Sequence, residues 1–122
     1  MLKRIATSAA AIGAATMMSL AAGGAPAQAT VQTGTYAGCE AGYVCIYPDA
    51  SWNQAPILKF YTYGAHNLSN VYGYKRIFNN QTGGAHAQTC RGYNGTDCNA
   101  AFGSFSYGDE DFTPINSVRL FE

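Results

Sequence analysis

Four cysteines constrain this chain most, because they come as two close pairs. Cys39 stands near Cys45 and Cys90 near Cys98, and each pair brackets turn-forming residues. What they do depends on where the chain goes. Met1-Leu2-Lys3-Arg4 is positive, Ile5 to Ala22 is apolar and alanine-rich, and Ala25-Pro26-Ala27-Gln28-Ala29 offers small residues at the spacing a signal peptidase reads. This is the pattern of a secretory signal peptide, with cleavage expected after Ala29 and Ala27 as the near alternative. A membrane anchor fits less well, since Ala, Gly and Ser dilute the run and it leads into a cleavage pattern. Residues 1–29 therefore read as a leader. Residues 30–122 read as one exported, extracellular domain, free of the membrane once the leader is gone.

Export to an oxidising space argues that the cysteines are paired. Of the three possible connectivities, Cys39–Cys45 with Cys90–Cys98 is favoured by closeness in sequence. Each closed loop is worth roughly 2–3 kcal/mol by chain entropy. Zinc is the competing use, but neither pair has the Cys-x-x-Cys spacing of a structural site. A domain this short buries only about 60–65% of its unfolded surface, so covalent help suits it.

From Thr30 onward five cations (Lys59, Lys75, Arg76, Arg91, Arg119) face seven carboxylates (Glu40, Asp49, Asp97, Asp109, Glu110, Asp111, Glu122). A slightly acidic domain lacks the basic footprint that nucleic acid or anionic lipid requires. Sparse charge with abundant tyrosine and glycine favours strands and turns over helices. The spacing predicts strands over 42–47, 56–63, 75–79, 85–90, 101–107 and 117–121. It predicts a polar connection over 64–73 in which Leu68, Val71 and Tyr72 tuck inward, a turn over 79–84, and an acidic turn over 108–114. Short strands with turn signals between them suggest a sandwich or barrel. Residues 43–80 and 84–121 also echo one another in length and order, which suggests two related four-strand motifs forming a double Greek key.

The candidate site is the ring closed by Cys90 and Cys98, carrying Arg91, Gly92, Tyr93, Asn94 and Gly95. Ring closure limits how far cut ends can separate and lowers the entropy lost on docking, which suits a loop held in a protease cleft. Cutting after Arg91, at the Arg91–Gly92 bond, would suit the acidic specificity pocket of a trypsin-like serine protease.

Cys39-x-x-Gly42-Tyr43-Val44-Cys45-Ile46-Tyr47, Trp52, Ile77-Phe78-Asn79-Asn80 and Pro114-Ile115-Asn116-Ser117-Val118 resemble small secreted actinobacterial proteins of the peptidase inhibitor I36 family. The resemblance spans nearly the whole of residues 30–122, although Gln54 stands where a glycine is usual. It implies an all-β, βγ-crystallin-like sandwich of two Greek keys, stapled by disulfides, and a metalloprotease as partner. It also implies a reactive bond at a cysteine in a disulfide-tied loop of the second half, which here is Cys90–Arg91. A zinc protease would polarise the Cys90 carbonyl at its metal. Arg91 is an unusual residue after the cut for thermolysin-like enzymes, which prefer a bulky apolar one.

Many βγ-crystallin relatives bind calcium through an Asn/Asp pair, two variable positions, then Ser/Thr-Ser. Here Lys75-Arg76 replaces the hydroxyls before Ile77, and Phe112-Thr113 replaces the acidic pair before Asn116-Ser117, so no metal and no cofactor is expected. An enzyme is not expected either: His66 and His86 belong to no His-Glu-x-x-His pattern, and no Gly-x-Ser-x-Gly elbow is present. The reading is thus a secreted, monomeric protease inhibitor. Its alternatives are an antimicrobial, killer-toxin-like βγ-crystallin protein and a carbohydrate-binding module with a tyrosine stacking face.

Overall fold

A computed structural model describes residues 34–122. The leader, its cleavage point and Thr30 lie outside the described residues. Seven strands follow one another: β1 (Val44–Ile46), β2 (Leu58–Phe60), β3 (Gly64–Asn67), β4 (Tyr74–Asn79), β5 (His86–Cys90), β6 (Ser106–Asp111) and β7 (Ser117–Phe121). They form a four-stranded sheet in the order β2-β1-β4-β6 and a three-stranded sheet in the order β3-β7-β5. Every pairing is antiparallel. Each half of the chain sends one strand across: β3 joins β7 and β5, while β6 joins β4.

Alternation in β1 explains the two cores. Val44 and Ile46 point between the sheets and pack with Ile77, Phe112, Val118 and Leu120. Cys45 and Tyr47 point the other way, into a smaller cluster with Cys39 and Phe78 that Ala37, Tyr43 and Trp52 cover. A strand buried on both faces gives the continuous apolar run that made β1 legible. The Cys39–Cys45 disulfide pins the segment before β1 onto this second cluster, and the Cys90–Cys98 disulfide closes the ring after β5. Both pairings are the ones expected from sequence.

Several expected boundaries are corrected. The strand expected over 56–63 is cut to Leu58–Phe60. The connection expected over 64–73 contains β3, an edge strand whose residues are exposed apart from the half-buried His66, so it carries no apolar alternation. Leu68 and Val71 are buried as expected, but Tyr72 is exposed and donates its hydroxyl to Asn70 Oδ1. The first part of the expected acidic turn, as far as Asp111, is instead β6, paired along its length with β4, and the chain turns at Thr113-Pro114. Cations make that strand tolerable, for Asp109 lies opposite Arg76 and Glu110 opposite Lys75. The strand expected over 101–107 reduces to a bridge from Phe102 to Ala87 before β6 begins, and Phe105, at φ 63°, separates the two. After β6, the Thr113 backbone N–H, then its hydroxyl, hold the Asp111 carboxyl below its ordinary value.

Tyr47 gives a pH prediction. Burial, then the neighbouring Tyr36, push its hydroxyl from 10.0 up to about 12, and the Arg76 charge only partly opposes this. The folded state therefore keeps this proton while the unfolded chain loses it. The stabilisation is complete below pH 10 and disappears as pH rises through about 12. Chemical denaturation across this window is expected to show falling stability in the parent. Tyr47→Phe loses the bond donated to Ala37 O, about 1 kcal/mol, yet its stability is expected to fall less across the window. Equal slopes for the two proteins would contradict the assignment.

Candidate functional site: the disulfide ring

β5 ends at Cys90, which is fully buried, and the chain then turns out into solvent before returning at Cys98. Two backbone bonds narrow the ring: Arg91 N donates to Asp97 O at 2.8 Å and Gly92 N to Thr96 O at 2.9 Å. The tip turns through left-handed residues, Asn94 at φ 60° and Gly95 at φ 73°. Asparagine and glycine are the residues that tolerate this conformation best. Gly92 is required for another reason, since a Cβ there would collide with Thr96 Oγ1.

The two neighbouring strands brace the ring. Asn67, at the end of β3, accepts from Asn94 N at 2.7 Å and donates to Asn94 Oδ1 at 3.0 Å. Ser117, opening β7, donates its hydroxyl to Gly92 O at 2.7 Å and accepts from Gly95 N at 3.0 Å. Asn116 donates its backbone N–H to Cys90 O at 2.9 Å and its side-chain amide to Arg91 O at 2.7 Å. Thr96 Oγ1 closes the set by donating to Tyr93 O at 2.8 Å. With so many backbone groups engaged, the ring is a preformed rigid projection.

This geometry bears on both candidate bonds. The carbonyls of Cys90, Arg91 and Gly92 all face Asn116 and Ser117, so neither Cys90–Arg91 nor Arg91–Gly92 presents its carbonyl to a metal or an oxyanion hole while the braces hold. Side chains are what the ring offers outward. Tyr93 is exposed, and Arg91 is exposed with Nη1 donating to Asn99 Oδ1 at 3.1 Å.

The expected site residues Cys90, Arg91, Gly92, Tyr93, Asn94 and Gly95 thus lie on one projection. Sequence reasoning missed the braces Asn67, Asn116 and Ser117, and Asn99 beside Arg91. The Pro114-Ile115-Asn116-Ser117-Val118 segment was the available signal for two of them. His66 and His86 stay apart from the ring, stacked on Phe60 and Phe121 respectively. Among the described residues no three His, Cys, Asp or Glu side chains gather as a metal site would need. Comparison of the chain with protein-family models, curated proteins and solved structures finds no match.

Proposed function

We propose that this chain is a secreted, monomeric protease inhibitor that presents the Cys90–Cys98 ring to the cleft of an extracellular protease. The observation that carries the reading is the bracing. A ring stapled at its base and bonded to two strands loses little entropy on docking and resists being drawn out into the extended form a protease cuts. In this reading Arg91 and Tyr93 make the outward contacts. Cleavage at Cys90–Arg91 or Arg91–Gly92 waits until Asn116 releases the Cys90 or Arg91 carbonyl. The strand exchange between sheets supports a double Greek key of βγ-crystallin type, in keeping with the inhibitor-family resemblance, and two disulfides are compatible with an extracellular protein.

A panel of metalloproteases and trypsin-like serine proteases tests the proposal. The intact protein is expected to inhibit at least one. Arg91→Ala or Tyr93→Ala is expected to weaken that inhibition about 30-fold, the scale of an interface hot spot of about 2 kcal/mol. A serine protease target makes Arg91 the larger loss and a metalloprotease target makes Tyr93 the larger. No inhibition of any enzyme, or inhibition indifferent to both substitutions, sinks the proposal.

A further inference from the structure

Away from the ring, the segment between β2 and β3 faces the turn between β4 and β5 across an open groove of about 340 Å³. This falls within the roughly 300–1,000 Å³ usual for small-ligand sites. Tyr61, Thr62 and Tyr63 line it on one side, Gln81 and Thr82 on the other, with Gly42 beside them. Both tyrosines are more than half exposed, Tyr61 by 61% and Tyr63 by 57%. Their rings are nonetheless not all loose. Tyr61 packs on Tyr43 with centroids 5.0 Å apart, and lies so close over Gly42 that a Cβ there would sit 2.9 Å from its ring. A glycine with φ 95° therefore lets an aromatic ring lie against the backbone.

Gln81 gives the groove its polarity. It is only 2% exposed, and a chain of amides fixes which way it faces. Asn79 Nδ2 donates to the carbonyls of Ala85 at 3.1 Å and Phe102 at 3.2 Å, so Asn79 Oδ1 must be the end that meets Gln81. That oxygen accepts from Gln81 N and Gln81 Nε2, both at 3.0 Å. The second proton on Gln81 Nε2 goes to His86 O at 3.1 Å. Both amide protons are thus spent, and Gln81 Oε1 has no hydrogen-bond donor among the described residues. An oriented acceptor on a residue of the groove wall offers a place for a donor from a ligand.

From these features we infer that the groove binds a neutral saccharide. Aromatic rings present apolar faces to the C–H face of a pyranose, while the fixed acceptor and the tyrosine and threonine hydroxyls match sugar hydroxyls, which donate and accept. Among the described residues no charged side chain lines the groove, which selects against anionic or cationic ligands. A proline-rich peptide is the other ligand that stacks on tyrosines, but it exposes carbonyls and few donors, and so leaves the Gln81 oxygen unanswered.

The test is retention of the disulfide-bonded protein on insoluble chitin, cellulose and peptidoglycan, with elution by soluble glucose and N-acetylglucosamine oligomers. A proline-rich decapeptide serves as a separate probe. Retention on at least one polysaccharide is expected, weakened about tenfold by Tyr61→Ala or by Tyr63→Ala. Tyr72→Ala, an exposed tyrosine outside the lining, is expected to bind as the parent does. Thermal melting checks each variant, and should Tyr61→Ala fail to fold, Tyr63→Ala decides, its ring being free of the Tyr43 contact. Retention on none of the polysaccharides, retention unchanged by the groove variants, or binding of the decapeptide alone would overturn the inference. The protease panel is independent of each of these results.

Discussion

Asn79→Ala is expected to cost about 3–4 kcal/mol and to lower the urea unfolding midpoint in proportion. Asn79 is wholly buried in the last position of β4, and its amide serves four partners at once. It donates to the Ala85 and Phe102 carbonyls and accepts from the backbone and side-chain nitrogens of Gln81. Alanine removes all four bonds: Ala85 O, Phe102 O and Gln81 Nε2 keep Ser104 Oγ, Ala87 N and His86 O as partners, while Gln81 N keeps none among the described residues. A buried polar group so stranded costs about 1–3 kcal/mol, and each further bond lost adds about 1 kcal/mol. Against a total stability of about 5–15 kcal/mol this is a large share. Asn79→Asp is expected to do no better, because a carboxylate oxygen would replace the donor facing two carbonyls. Urea unfolding measures both, and a loss below about 1 kcal/mol would show that the amide relay is not holding this turn.

The same residue marks the boundary of what sequence could reveal. Asn79-Asn80-Gln81 reads as a solvated turn, because polar side chains beside two glycines usually are. In the structure all three are buried, and they satisfy carbonyls contributed from elsewhere in the chain, Asn80 by donating to Cys39 O and Gly34 O. Nothing local announces such partners. Strands β1, β4 and β7 were legible for the opposite reason: apolar burial writes its own pattern. β3 and β6 were not, since each is defined by the sheet it crosses to and not by its own composition. The ring was legible as a unit because its two cysteines are close in sequence. Which residues brace it was not legible, Asn67 being 27 residues from the Asn94 it holds and Asn116 being 25 from Arg91.

Arg76 carries the second large effect, and here the charge pair that rescues β6 is also a packing unit. Its guanidinium makes a two-pronged bond to Asp109 at 2.8 and 2.9 Å and donates to Ala50 O at 3.1 Å. It lies over the rings of Trp52 at 4.5 Å and Tyr107 at 4.3 Å. Arg76→Ala removes the fork and both cation–π contacts, and strands a half-buried carboxylate. Breaking a buried pair from one side costs about 3–5 kcal/mol, and partial exposure of Asp109 places the expected loss near the lower end, about 3 kcal/mol. Lysine is no substitute, because a point charge can neither chelate Asp109 nor stack between two rings. The penalty comes mainly from the orphaned carboxylate, so Arg76→Met combined with Asp109→Leu should lose less than Arg76→Ala alone. A double-mutant cycle by urea unfolding separates the terms. If the double variant proves as unstable as the single one, the aromatic sandwich and not the ion pair is what fastens β6 to β4.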